Sequence, residues 1–121
     1  MNDTMTAATL RSDILDAGHN LQKAITTARE AAAHYVRTKH DFGTAWDAAF
    51  LASDGTEQTR KSKANLATQE LSRLHDEALE RKRFTRLEAE AMQSIVSAYQ
   101  SIAATARQEM RWSQTGPEVG P

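Results

Sequence analysis

Apolar residues recur every three or four positions along nearly the whole chain, and a single short break interrupts them at Ser53-Asp54-Gly55-Thr56. This spacing places the apolar side chains on one face of an α-helix, so the pattern predicts a long helix on each side of the break. We expect helix one at about 6–52, a turn at 53–55 and helix two at about 56–112. The polar residues 113–121 are predicted to form a flexible tail.

The residues around the break suit the end of one helix and the start of the next. Gly55 can adopt the positive φ of a helix C-terminus, Thr56 is a suitable N-cap, and Glu57 places an acid in the first turn of helix two. Gly18 and Gly43 each weaken a helix interior by about 1 kcal/mol relative to alanine. We therefore expect any kink in helix one to lie at Gly43.

The apolar stripes also predict how the two helices pair. A short connection makes neighbouring helices antiparallel, so residues equally far from the turn should face each other, for example Tyr35 with Leu74 and Ile25 with Phe84. The stripe of helix one is Leu10, Ile14, Ala17, Leu21, Ile25, Ala28, Ala32, Tyr35, Phe42, Trp46 and Ala49. The stripe of helix two is Ala64, Ala67, Leu71, Leu74, Ala78, Phe84, Leu87, Ala91, Ile95, Ala98, Ile102, Ala106 and Met110. The predicted fold class is all-α, a long antiparallel two-helix hairpin of the coiled-coil type.

Near its C-terminus, helix two carries more apolar surface than helix one can cover. The predicted oligomer interface consists of Met92, Val96, Tyr99, Ile102, Ala106, Met110 and Trp112. This arc is broader than one neighbouring helix buries, so we expect a homodimer that forms a four-helix bundle. The alternative is a monomer in which residues 1–9 fold over the same surface.

Composition restricts the function classes. The 121 residues include no cysteine, which excludes disulfides and thiolate chemistry. No apolar run approaches the length of a membrane span, and the N-terminus lacks a signal-peptide pattern, so we expect a cytoplasmic protein that does not bind membranes. Fifteen basic and 16 acidic residues give a net charge of -1, so any attraction to nucleic acid must be local.

The densest basic cluster is Arg81, Lys82, Arg83 and Arg86, with Phe84 among them. Such a cluster could follow a phosphate backbone while the aromatic ring stacks on a base. The competing interpretation is a solvated helix face on which nearby glutamates neutralise the arginines.

A second basic group, Arg60, Lys61 and Lys63, lies near the start of helix two, where the helix dipole mildly disfavours cations. One interpretation is that these residues close the hairpin through ion pairs such as Asp47 with Arg60. The other is a tip that binds an anionic partner.

No motif indicates catalysis, a metal or a cofactor. The four histidines show no Glu-x-x-His or His-Glu-x-x-His spacing, and the chain has neither a Gly-x-Ser-x-Gly nor a phosphate-binding Gly-rich loop. We therefore expect a protein that is not an enzyme and that carries no cofactor.

The segment Ala49-Phe50-Leu51-Ala52-Ser53-Asp54-Gly55-Thr56-Glu57, with Arg60-Lys61-Ser62-Lys63-Ala64, Leu66-Ala67-Thr68, Gln100-Ser101 and Arg107-Gln108-Glu109-Met110, resembles small helical proteins of phages and prophages of Gram-positive bacteria. The resemblance covers roughly residues 42–112. It implies a phage-borne helical accessory protein in the cytoplasm of a host cell and assigns no catalytic role to any residue.

Three functions remain open from the sequence. The first is a non-catalytic accessory protein that binds a host or phage protein, for example to inhibit a host defence or metabolic protein. The second is a nucleic-acid-binding accessory in phage replication or recombination. The third is a structural spacer in the virion.

Overall fold

The structure, a computed structural model, describes residues 6–115 as three helices. Helix α1 spans Ala7–Ala52, α2 spans Glu57–Ala67 and α3 spans Gln69–Thr115. No strand occurs among the described residues, which confirms the predicted all-α class. Helix α1 continues through Gly18 and Gly43. Residues 113–115, predicted to begin the flexible tail, belong to α3 instead, and the rest of that tail, from 116 onward, lies outside the described residues.

The connection between α1 and α2 is fixed by local hydrogen bonds. Ser53 bonds back onto α1, its hydroxyl donating to the carbonyl of Ala49 at 2.7 Å. Gly55 has a φ of 112°, a conformation that other residues adopt only with strain. Thr56 caps α2, because its hydroxyl accepts the backbone N–H of Thr59 at 3.2 Å. These are the roles that the sequence predicts for Gly55 and Thr56.

The predicted second helix is interrupted at Thr68, which separates α2 from α3. Thr68 has φ -109° and ψ 17°, outside the helical range. Both its backbone N–H and its hydroxyl donate to the carbonyl of Ala64, at 3.1 and 2.8 Å. A threonine hydroxyl that bonds back to the carbonyl four residues earlier competes with regular helix geometry. The expectation of one continuous helix from 56 to 112 is therefore wrong at this residue.

The chain divides into two compact units. We call Met1–Ala24 with Glu88–Pro121 the terminal unit and Ile25–Leu87 the central unit. In the central unit, α1 runs antiparallel to α2 and the first part of α3. The ring of Tyr35 lies 5.2 Å from that of His75, and the Trp46 indole N–H donates to the Asn65 side-chain oxygen at 2.8 Å.

The interior of both units is built from small side chains. Among the described residues, the buried apolar ones are Ala17, Ala31, Ala64, Ala78 and Val96. Two threonines, Thr68 and Thr85, are buried with them. Small residues at a helix contact let the two backbones approach closely, so the helices pack with few large side chains between them.

The stripe predicted for α1 is confirmed, because every position in it is buried or half-buried. The stripe predicted for helix two is mostly wrong: Phe84 is 63% exposed, Leu87 57% and Ile95 45%. Tyr35 contacts His75 and Lys82, and the predicted partner of Tyr35, Leu74, is 38% exposed.

The helices pack instead through a neighbouring face of α2 and α3. In the central unit this face consists of Ala64, Thr68, Leu71, His75, Ala78, Lys82 and Thr85. In the terminal unit it consists of Ala89, Met92, Val96, Tyr99, Ala103 and Ala106. In each set the steps alternate strictly between three and four residues, the repeat of a coiled-coil seam. In the central unit this repeat was not recognised from the sequence because several of its members are polar or charged. In the terminal unit, Met92, Val96 and Tyr99 were predicted to contact a second chain instead.

Stability measurements can distinguish the two faces. Ala78→Leu should destabilise the fold by about 1–3 kcal/mol, because it forces a large side chain into a close helix contact. Phe84→Ala should change the free energy of unfolding by no more than about 0.5 kcal/mol, because the ring is exposed. Urea unfolding followed by circular dichroism measures both. A loss of about 3–5 kcal/mol for Phe84→Ala would instead place the ring in the core.

Candidate functional site

The predicted tip is held together by Arg60. Its guanidinium donates two hydrogen bonds to the carbonyl of Phe50, from Nε at 3.2 Å and from Nη2 at 3.1 Å. The same group lies 4.3 Å above the centre of the Phe50 ring, which stacks on Trp46 at 5.3 Å. The last carbonyls of a helix lack partners and carry partial negative charge. Arg60 therefore satisfies the C-terminus of α1 from the facing helix.

The other two cations of the tip also contact this chain. The Lys63 ammonium donates to the carbonyl of Asp54 at 3.3 Å, and Lys61 lies 3.3 Å from the Glu57 carboxylate. The Lys61 and Glu57 side chains are 49% and 76% exposed, so their pairing is weak. The structure thus gives Arg60 and Lys63 a role in closing the loop. Binding of a partner by Arg60, Lys61 and Lys63 stays a prediction.

The members of the basic cluster Arg81, Lys82, Arg83 and Arg86 make different contacts within the chain. Arg83 pairs with Glu80 at 3.7 Å, and the Lys82 ammonium lies 4.7 Å from the centre of the Tyr35 ring, half-buried in the helix contact. Arg86 also interacts within the chain. Arg81 points to a different place, a polar groove between α1 and α3. Arg81, Lys82 and Arg83 thus have different surroundings, and nucleic-acid binding by the four cations stays a prediction.

The predicted oligomer interface is divided by the actual helix contact. Val96 is only 8% exposed because its own chain covers it, and Met92, Tyr99 and Ala106 are half-buried. Three members remain exposed: Ile102 at 49%, Met110 at 59% and Trp112 at 70%. In the same part of α3, the positions Ala91, Ile95 and Ala98 are also exposed, although they were predicted to lie in the intramolecular seam.

An apolar groove of about 800 Å³ lies between the start of α1 and the end of α3 in the terminal unit. Its apolar lining is Ala7, Leu10, Ile14, Leu15, Ala103, Ala106 and Met110. Arg11, Arg107 and Glu109 are among its polar lining residues. Helix α1 thus lies beside the end of α3, which was expected to extend past it. The groove shows that the two helices do not pack fully against each other there.

A second, polar groove of about 300 Å³ lies in the central unit. Its lining residues from α1 are Thr27, Glu30, Ala31, His34 and Arg37, and α3 contributes Arg81. The proximity of Arg81 to these residues of α1 was not predicted from the sequence. The antiparallel register of the two helices could have indicated this proximity, because it brings residues in the low thirties of α1 near the late seventies and early eighties of α3.

One ionic group on α3 has a perturbed titration. Hydrogen bonding by Arg73 lowers the pKa of the Glu70 carboxyl, against a small opposing effect of desolvation, and Arg73 also contacts Glu77 at 2.6 Å. A depressed carboxyl pKa stabilises the fold above the unfolded pKa, and this contribution is lost as pH falls through the folded value. The groups are fully exposed, so the effect is local to the surface of α3.

Among the four histidines, His75 packs in the helix contact, whereas His19, His34 and His40 are exposed. The side chain of His75 is 19% exposed and lies between the rings of Tyr35 and Phe42, 5.2 and 5.8 Å away. Within residues 6–113, no three histidine, aspartate or glutamate side chains are grouped so that they could hold a metal ion.

Comparison with protein-family models, with curated proteins and with solved structures gave no match for this chain. The resemblance to helical phage proteins therefore stays a prediction. None of the helices between residues 6 and 115 has an apolar stretch long enough to cross a lipid bilayer.

The role of Arg60 can be tested by substitution. Arg60→Ala should lower the free energy of unfolding by about 1–2 kcal/mol, because it removes two charge-assisted hydrogen bonds and a cation–π contact. Lys61→Ala, the matched control, should cost no more than about 0.5 kcal/mol. Chemical unfolding of both variants makes the comparison. Equal small losses would mean that Arg60 has no structural role and would favour its use in binding a partner.

Proposed function

We propose that this chain is a non-catalytic interaction protein that assembles with a second copy of itself through the outer face of α3 in the terminal unit. The observation that carries the proposal is the segment Ala91–Ala106, which contains no Asp, Glu, Lys or Arg in a chain that is 26% charged. Its outer face is exposed. An uncharged, partly apolar and exposed helix face is typical of a helix contact that another chain completes.

This segment has two apolar faces. One contains Met92, Val96 and Tyr99, and the chain itself covers it. The other contains Ala91, Ile95, Ala98 and Ile102, all exposed, with Ile95 at 45% and Ile102 at 49%. A helix that packs against a single neighbour needs only one apolar face. The second face supports a further contact.

A second copy fits this outer face better than a charged partner does. The face has no charge with which to select an acidic or basic surface, and no like charges that would repel an identical one. If two copies pair antiparallel about a two-fold axis between Ile95 and Ala98, then Ile95 meets Ala98 and Ala91 meets Ile102. Each large side chain then opposes a small one, as interdigitated helix packing requires.

The surface area of the chain also supports a partner. The accessible surface is 9064 Å² for a mass of 13.4 kDa, whereas a folded monomer of this mass exposes about 6500 Å². Pairing through α3 would give a four-helix bundle made of α1 and α3 from each copy, with the antiparallel hairpin as its repeating unit. The paired positions from Ala91 to Ile102 span about 18 Å of helix, so the contact lies at the small end of specific interfaces. We therefore expect a reversible dimer.

In this proposal the dimer is the form that acts on other molecules. The resemblance to phage proteins suggests a host or phage protein as the target, with inhibition of a host protein as one such action. The proposal assigns no reaction and no cofactor to the chain. Nucleic-acid binding is the less supported alternative, because Lys82 and Arg83 are engaged within the chain.

Sedimentation equilibrium over a concentration series tests the assembly. The natural chain should approach twice its monomer mass as concentration rises, and Ile95→Asp with Ile102→Asp should remain monomeric with unchanged helical circular dichroism, because a charge cannot be buried unpaired in the contact.

The matched control is Leu51→Asp with Leu66→Asp, two exposed leucines of the central unit at 75% and 71%. These substitutions should leave the mass at every concentration as in the natural chain. A natural chain that stays monomeric at the highest concentration would overturn the proposal, and so would equal dissociation by both pairs.

A further inference from the structure

We infer that the polar groove of the central unit binds a phosphate group, held between Arg37 of α1 and Arg81 of α3. The groove is about 300 Å³ and is lined by these two arginines with Thr27, Glu30, Ala31 and His34. The site is separate from the α3 face of the proposed dimer, and the inference does not depend on that proposal.

Neither arginine of this groove is held by another described residue, in contrast to several other arginines of the chain. Arg60, Arg73 and Arg83 each contact a carbonyl or a carboxylate of the chain. Within the part of the chain that the structure describes, the guanidinium groups of Arg37 and Arg81 make no hydrogen bond or ion pair. Two cations brought from different helices to one groove repel each other unless an anion lies between them. The one carboxylate that lines this groove, Glu30, forms no ion pair with either guanidinium, so a negatively charged ligand would relieve the repulsion.

The chemistry of the lining matches a phosphate. A guanidinium presents N–H donors in a planar fork that fits phosphate oxygens in pairs, and two forks can contact different edges of the same group. His34 and Thr27 supply a ring nitrogen and a hydroxyl from the same helix face, one and three turns of α1 before Arg37. A phosphate has more acceptor oxygens than a carboxylate, so it can use more of these donors.

The size of the groove has a structural cause. Ala31 is 3% exposed and sits among the lining residues, so a methyl group takes the place where a longer side chain would fill the space. A volume of 300 Å³ lies at the lower limit of small-molecule sites. This volume is large enough for a phosphate group with a few waters.

Glu30 gives the inference a second, opposite test. Its carboxylate is among the lining residues and competes with an incoming anion for the same two guanidinium groups. Removing this negative charge should therefore tighten phosphate binding, whereas removing either arginine should weaken it. Any attraction between a charged patch and an anion gives these two signs, so the comparison with a matched arginine outside the groove decides whether the groove is the site.

Binding of inorganic phosphate is measured by NMR titration of the full chain at low ionic strength, with chloride held constant. Arg37→Gln and Arg81→Gln should each weaken binding about tenfold, the loss expected for charge-assisted hydrogen bonds at a solvated site. Glu30→Gln should strengthen it about threefold, which is the scale of one nearby charge in a partly solvated groove. The matched control is Arg83→Gln, whose guanidinium pairs with Glu80 outside the groove and should stay within about twofold of the natural chain.

A single-stranded oligonucleotide of ten residues serves as the second probe and identifies the source of the phosphate. If it binds more tightly than inorganic phosphate and loses affinity with Arg81→Gln, the group belongs to a nucleic-acid backbone. If it binds no more tightly, the site takes a free phosphate or a phosphorylated small molecule. The inference is overturned if phosphate does not saturate the natural chain, or if Arg83→Gln weakens binding as much as Arg81→Gln.

Discussion

The close contact between α1 and the other two helices is the constraint on which the rest of the structure depends. Alanine and threonine occupy its buried positions, so the helix backbones lie near each other and little space remains for large side chains. The helices gain packing over their whole length, but they bury few large apolar groups. The apolar residues that a single-chain core would normally enclose are therefore left on the outside.

This arrangement explains why the chain exposes so much apolar surface. Phe84, Leu87, Ile95 and Ile102 are all about half exposed or more, and they lie on one side of α3 while the small seam residues lie on another. Burial of a large apolar side chain is worth about 1.5–3 kcal/mol, and the exposed side chains do not gain this free energy within the chain. An association that buries even two of these side chains gains roughly twice this free energy. The assembly proposed for the terminal unit follows from that balance.

The sequence predicted the helices well because helix formation depends on local signals. The cap at Thr56, the positive φ at Gly55 and the apolar stripe of α1 were all legible from residue type and spacing. The face of α3 that packs against α1 could not be recognised in this way. The stripe was chosen by hydrophobicity, and two apolar repeats run along this helix. The true seam includes Thr68 and Lys82, which count as polar although their aliphatic parts pack well. Only the distance between the helices decides between the faces, and that distance depends on the small residues of both.

The candidate sites show the same limit. The basic residues of the tip were found from the sequence, but their use was not, because a cation that caps a facing helix and a cation that waits for a ligand look alike along the chain. The structure distinguishes the two kinds of cation by their contacts. Arg60 donates to the carbonyl of Phe50, whereas Arg37 and Arg81 line the same groove without a partner among the described residues. A charge that is left unpaired therefore suggests a binding site. Apolar surface suggests an interface where a helix has more of it than its neighbouring helix covers. The two proposals rest on these two kinds of surplus, in separate units of the chain, so either can fail without affecting the other.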